Sequence, residues 1–331
     1  MQNSEDTRKI FFLAINSGYA YEENPTDECI DFYRERSGNG LYCTIVGNVV
    51  IPSGTGTNAV SMRIGSSKQW QRLAESIRAE GAKPGIQLAT TWPDYKGTTN
   101  FLGNKEESAI LNYVKTGGAI ERDTIQTTFE RLFIGTEISI DAGFSHIQLH
   151  AAHGYLFNLM LDSRFCKHHE IAHELLNKWI ARFRTKEIEI SLRTSLFIGN
   201  ERYDRTSEIE LTLAQKLSKT DADYLDISSG FYNLSKRMIY PSTKVELEKR
   251  LSSSLAISNL NPERKFIISG KISPQSHTTL PKNISIGICR DLIANPKFLD
   301  NFSEGCSNCM KCHYYSRRKE KLTCGMWQYQ S

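Results

Sequence analysis

The stretch Ser145-His146-Ile147-Gln148-Leu149-His150-Ala151-Ala152-His153-Gly154-Tyr155-Leu156 decides the reading of this chain. Its first half is a short apolar run with polar residues at every second position, the pattern of a strand. A long amphipathic segment from Asp123 to about Ile140, closed by Gly143, precedes it. A second helical period, Glu170 to Arg184, follows. The unit is therefore helix, strand, polar turn, helix, with two histidines and a tyrosine in the turn.

The same alternation extends outward in both directions. Strands are expected at Lys9–Ile15, Leu41–Val46, Ile86–Leu88, Glu187–Arg193, Tyr224–Ile227, Lys265–Ile268 and Ile284–Ile286. Helices are expected at Thr26–Ser37, Lys68–Glu80, Ser207–Ser218, Val245–Leu255 and Asp291–Phe302, the last broken or kinked by Pro296. Between the third and fourth strands a long insertion, Thr90–Gly118, carries Trp92, Tyr95 and Phe101. Eight strand–helix units in about 300 residues predict an α/β fold, a (β/α)8 TIM barrel. Each strand ends in polar residues or glycine: Ser17, Gly47, Gln87, His150 with His153, Arg193, Ser228–Gly230, Ser269–Gly270 and Arg290. Barrel enzymes build their sites on that face.

Composition sets the outer bounds. The 331 residues hold 41 Lys and Arg against 37 Asp and Glu, a net charge of +4, too weak to imply a nucleic-acid partner. The polar start Met1–Lys9 has no apolar core of a signal peptide, and Ile10–Ile15 is too short to span a membrane. A cytoplasmic protein is expected. The string Gly54-Thr55-Gly56-Thr57-Asn58-Ala59 matches a dinucleotide fingerprint on paper, but no helix begins inside it, so it reads as a loop.

If His150 ends its strand and His153 sits just beyond, both imidazoles can converge on one acceptor oxygen and polarise a carbonyl or nitro group. Tyr155 can deliver a proton to a carbanion. A hydrogen-bond network without chemistry, or half of a metal site, remain alternatives from these residues alone. Of eight cysteines, Cys29, Cys43, Cys166 and Cys289 are scattered, while Cys306, Cys309, Cys312 and Cys324 form a Cys-x2-Cys-x2-Cys-x11-Cys set. Four thiolates at that spacing suit zinc or a [4Fe–4S] cluster.

The string His150-Ala151-Ala152-His153-Gly154-Tyr155-Leu156 resembles the active-site signature of the Old Yellow Enzyme, or NADH:flavin oxidoreductase, family. Ala14–Ser17, Gly85–Leu88, Ser191–Arg193, Ile268–Ile272 and Cys289–Pro296 resemble further family motifs in the same order. The resemblance implies a barrel holding FMN at the strand C-termini, with NAD(P)H supplying hydride to the flavin. His150 and His153 would hold the activating oxygen of an alkene substrate, and Tyr155 would donate the proton. Ser17 and Gly47 would lie by the flavin, Gln87 would bind its pyrimidine ring and Arg193 would sit near N1. Gly270, Lys271, Cys289 and Arg290 would hold the phosphate.

The cysteine set resembles that of the family's iron–sulfur branch, the 2,4-dienoyl-CoA reductase and trimethylamine dehydrogenase types, which favours [4Fe–4S] over zinc. The expected division is an FMN barrel over residues 1–303 and a cluster-binding tail over 304–331, packed on it. That branch has a C-terminal FAD domain, which is expected to be missing here. Electrons would then come from a separate transfer protein, for which Arg317-Arg318-Lys319 is a candidate dock, or the cluster would be structural.

The chain departs from the family at Ile15 and Cys289, in Thr90–Pro93, and after Tyr155, where Asp162–Lys167 stands. Those loops shape substrate pockets and subunit contacts, so substrate identity and homo-oligomerisation stay open. An oxidative amine-dehydrogenase activity and a non-catalytic, metal-bearing barrel are the alternatives.

Overall fold

The computed structural model describes residues 8–93, 95, 97, 107–204, 212–275 and 279–327. Eight parallel strands close into a barrel. They are β1 (Ile10–Phe12), β2 (Cys43–Val50), β3 (Lys83–Ala89), β4 (His146–Ala151), β5 (Glu189–Ser195), β6 (Tyr224–Ser228), β7 (Phe266–Ile268) and β8 (Ile284–Ile288). Each pairs with the next, and β8 returns to β1 through Ile10 opposite Ile286.

The helices in chain order are α1 (Asp27–Arg34), α2 (Lys68–Ala79), α3 (Glu107–Gly118), α4 (Arg122–Asp141), α5 (Leu156–Leu161), α6 (His169–Phe183), α7 (Leu213–Leu217), α8 (Lys236–Ile239), α9 (Lys244–Asn259) and α10 (Arg290–Ala294). Their starts follow local chemistry. Thr26 caps α1 by accepting the Cys29 N–H, Ser67 caps α2, and Thr243 with Glu246 forms a capping box on α9. The described elements differ from the expected ones in three places. The insertion before β4 contains α3, while Phe101 lies outside the described residues. The helix expected from Ser207 is described only as α7, since 205–211 lie outside the described residues. The last helix stops at Ala294, because Asn295 turns extended in front of Pro296.

Strand alternation sorts the apolar residues into two layers. Phe11, Leu13, Cys43, Ile45, Tyr224 and Ile267 point inward and plug the barrel. Phe11 meets the rings of Tyr42 and Tyr224 edge-on, each at 5.2 Å. The neighbouring positions, such as Phe12, Val46, Leu149 and Leu192, point outward into the shell of helices. Burying each such aromatic side chain contributes roughly 1.5–3 kcal/mol. The plug fills the N-terminal half of the barrel and leaves the C-terminal mouth to polar side chains. Among the described residues, no helix is long and apolar enough to cross a membrane.

The segment after α10 folds back over that mouth. Tyr314 donates from its hydroxyl to Asn16 Oδ1 at 2.9 Å, and the Leu322 N–H bonds the Ser17 carbonyl at 2.8 Å. Trp327 donates to the Ile293 carbonyl at 2.8 Å, and Lys321 pairs with Glu28 at 2.6 Å.

Candidate active site

One cleft opens at the C-terminal end of the strands and holds about 1470 Å3 of space, including its open mouth. Gln87, His150, His153, Tyr155, Arg193, Gly270, Lys271, Cys289 and Arg290 all lie on its wall. Ser17 and Gly47 do not. Ser17 is fully buried and turned into the loop, where its hydroxyl accepts the Tyr19 N–H at 3.4 Å. Its neighbour Asn16 lines the cleft instead. At Gly47 the register of β2 against β3 slips by one residue between Val46 and Val49, which aims Asn48 into the cleft. Gly47 itself adopts φ +147°, and a Cβ there would meet Gln87 Cβ at 3.0 Å.

The histidines are not arranged as two free donors. The Ala152 N–H reaches His150 Nδ1 at 3.4 Å, His150 Nε2 faces His153 Nδ1 at 3.3 Å, and His153 Nε2 faces Ser228 Oγ at 2.6 Å. Assigned from that network, His150 carries its proton on Nε2 and donates to His153, which donates in turn to Ser228. Burial, with the charge of Arg193, pulls the His150 pKa down to about 3, and burial holds His153 well below its ordinary value. Both rings are neutral at pH 7, each with one N–H, that of His150 directed at His153 and that of His153 at Ser228. His153 has φ +60°, a left-handed conformation uncommon outside glycine, and Gly154 follows at +78°.

Tyr155 lies between an aromatic wall and Asn48. Its hydroxyl receives the Asn48 amide at 3.5 Å, and its ring stacks with Tyr232 and meets Tyr95 edge-on. Burial, with the neighbouring phenols Tyr232 and Tyr113, holds its pKa well above the ordinary value, so the proton stays on until a stronger base takes it. Tyr232 and Tyr240, whose hydroxyls lie 2.8 Å apart, line the same wall.

The far end of the cleft is cationic. Arg193, Lys236, Arg250, Lys271 and Arg290 line it, against the single carboxylate of Asp291. Arg250 is buried, donates to the carbonyls of Met238 and Ile227 and to Ser269 Oγ, and keeps a buried Nε without a partner among the described residues. Burial, with the charges of Arg193 and Arg290, lowers its pKa to about 9. Such a site calls for an anion. Gly270 (φ +119°) and Lys271 (φ +58°) turn the chain there. Lys271 Nζ reaches the Cys306 carbonyl at 2.7 Å and lies 3.9 Å from Asp291, so its ammonium is engaged with the tail. A cleft whose lining carries an anion-seeking arginine cluster, a glutamine and paired imidazoles fits FMN.

Arg250 and the Tyr232–Tyr240 pair escaped the sequence reading, while Asn16 and Asn48 stand in strand-end turns that it named without giving them a role. Arg250 sits mid-helix in α9 with no motif around it, and Asn48 reaches the cleft only through the register slip. Tyr232 and Tyr240 flank α8, which no periodicity announced.

The four tail cysteines are unpaired thiols. Among the described residues no group of three or more His, Cys, Asp or Glu side chains is placed to hold a metal ion. The sulfurs do receive backbone N–H groups: Asn308 to Cys306 Sγ at 3.3 Å and Met326 to Cys324 Sγ at 3.5 Å. At Cys309 burial raises the pKa, but the N–H groups of Lys311 and Gly325, Ser307 and the Lys311 charge outweigh it and leave the thiol below its ordinary value.

The model of the NADH:flavin oxidoreductase / NADH oxidase family matches residues 10–170, which include β1 to β4 and the histidine turn. The match spans just under half of the chain, and over these residues the chain is similar to that family. An NADPH dehydrogenase of Halalkalibacterium halodurans is 27% identical over 246 residues, 67% of this chain and 66% of that protein. Among solved structures, Old Yellow Enzyme from Pichia superposes with a TM-score of 0.63 at 15% identity, covering 88% of this chain and 82% of that one. A 2-naphthoyl-CoA reductase complex gives a TM-score of 0.73 at 16% identity over 96% of this chain, which spans 54% of that one. At those identities the structures establish the shared barrel fold.

Proposed function

We infer that the protein is an FMN-dependent oxidoreductase of the ene-reductase kind, acting on an activated C=C bond or a similar electrophile. NAD(P)H or a redox partner would supply the electrons. FMN, when bound, supplies hydride transfer to the substrate; the chain's own residues do the rest. The observation that carries this reading is a single wall bearing His150, His153, Tyr155, Gln87 and Arg193 beside a cationic end.

His150, neutral and with its N–H on Nε2, turns that donor from His153 to the substrate oxygen and polarises the double bond. His153, whose one N–H is held by Ser228 Oγ, would give a second donor to that oxygen only by leaving Ser228. Tyr155 holds the proton for the carbon that takes up negative charge, and Tyr95 and Tyr232 pack against its ring. Arg250, Arg290 and the turn at Gly270 would bind the phosphate, with Gln87 and Arg193 facing the pyrimidine ring. The test is anaerobic stopped-flow: flavin reduced by NAD(P)H should be reoxidised by a 2-enal or 2-enone. No reoxidation by any activated alkene would refute the reading.

Cys306, Cys309, Cys312 and Cys324 are read as ligands of a [4Fe–4S] cluster, or of zinc. Their spacing and the N–H groups directed at the sulfurs support this, since such bonds stabilise thiolates. The thiols are not grouped as a metal cage here, and no step above depends on the cluster. Electron delivery by a separate protein remains tied to that reading.

A further inference from the structure

Gln87 and Arg193, the two side chains read as facing the flavin pyrimidine ring, stand on strands that do not touch each other. Two residues, Gln148 and Asp226, join them. Gln87 on β3 lies opposite Gln148 on β4, and its amide donates to the Gln148 carbonyl oxygen at 2.5 Å. Gln148 Nε2 donates onward to Asp226 Oδ2 at 3.3 Å. Arg193 on β5 lies opposite Asp226 on β6 and donates to that same oxygen. Asp226 is fully buried, lies outside the cleft lining, and its Oδ1 has no hydrogen-bond partner among the described residues. Leaving one oxygen of a buried carboxylate without a hydrogen bond costs free energy, which the Arg193 pair and the Gln148 bond offset only through the other oxygen. Packing alone does not account for it.

We propose that Asp226 is a positioning residue that fixes Gln87 and Arg193 together and, by offsetting part of the Arg193 charge, sets the reduction potential of the bound flavin. The inference rests on the FMN reading above. Arg193 favours the more electron-rich state of a flavin beside it. The Asp226 carboxylate opposes that preference at close range in a low-dielectric interior. Without it, reduced FMN should bind more tightly relative to oxidised FMN, and the potential should rise. Through Gln148 the same carboxylate holds the Gln87 amide in one orientation.

The test compares wild type, Asp226→Asn and Gln148→Met, each reconstituted with FMN. Midpoint potentials are measured against reference dyes and FMN affinities by fluorescence quenching. Asp226→Asn should favour reduced over oxidised FMN by about tenfold, which for a two-electron couple is a rise of about 30 mV. Gln148→Met keeps the charge, so its potential should stay near wild type while its FMN affinity falls several-fold. An unchanged potential in FMN-loaded Asp226→Asn would overturn the proposal. Unchanged FMN affinity in Gln148→Met would remove the Gln87 branch. If Asp226→Asn fails to hold flavin, Asp226→Glu, which shifts the charge by one methylene, is measured instead, and an unmoved potential there also overturns it. A wild type that binds no FMN would refute the functional reading, a different result from FMN bound at an unmoved potential.

Discussion

The phenol ring of Tyr155 lies stacked on the imidazole of His150, with centroids 4.2 Å apart and planes inclined by 15°. A neutral imidazole tolerates that contact and keeps one N–H for a ligand, while the buried phenol keeps its proton. The turn from His150 to Tyr155 thus holds together the proposed oxygen-binding donor and the proposed proton source.

Replacing both His150 and His153 should abolish the binding of phenols to the oxidised flavoprotein. The long-wavelength colour of the phenolate–flavin pair reports it. Retained colour in the double variant would remove both residues from oxygen binding.

The depressed histidine pKa values make stability depend on pH. Between about pH 3 and 6.5 the unfolded chain takes up a proton at His150 that the folded chain refuses. Stability is therefore fully present above pH 6.5 and falls as pH drops, by up to about 1.4 kcal/mol per pH unit for each such group. His153, His173 and His313 act in the same direction. His150→Gln should flatten the fall of Tm between pH 7 and 5, measured by calorimetry. A slope equal to wild type would show that His150 is not neutral in the folded state.

Tyr155→Phe should slow the reoxidation of reduced flavin by an alkene by about 10²–10⁴-fold and leave reduction by NAD(P)H near wild type. Stopped-flow absorbance separates the two half-reactions. Equal slowing of both would make Tyr155 structural.

Arg250→Met should weaken FMN about ten- to a hundredfold while changing riboflavin little, because the charge proposed to face the phosphate is lost along with the bonds to Met238, Ile227 and Ser269 that position it. Equal losses for both flavins would place the effect in folding of the β6–β7 connections.

Cys309→Ala should lose the iron or zinc of the wild-type protein by elemental analysis. Unchanged metal content, or none in wild type, would end the cluster reading.

Much of this was legible in the sequence, for physical reasons. Alternating strands and helices carry their own periodicity, and polar residues such as Gln87, His150 and Arg193 stand out against apolar strand interiors. What was hidden depends on three-dimensional register. Asn48 needed the slip in β2, and Arg250 needed the approach of α9 to Gly270, whose Cβ would meet Arg250 Cγ at 3.0 Å. Ser17 is buried beside Gly18, at φ +73°, and Asn16 stands at the cleft in its place. The expected convergence of two imidazoles is, in the structure, a bond between them, since neutral rings 3.3 Å apart satisfy each other.

The central claim is that the barrel mouth is an FMN site. Reconstitution of the purified protein followed by anaerobic absorption spectroscopy and flavin quantification tests it most directly. The account predicts one FMN per chain, with a flavin absorption pair that bleaches when NAD(P)H or dithionite is added. A protein that retains no flavin after reconstitution with excess FMN would contradict it.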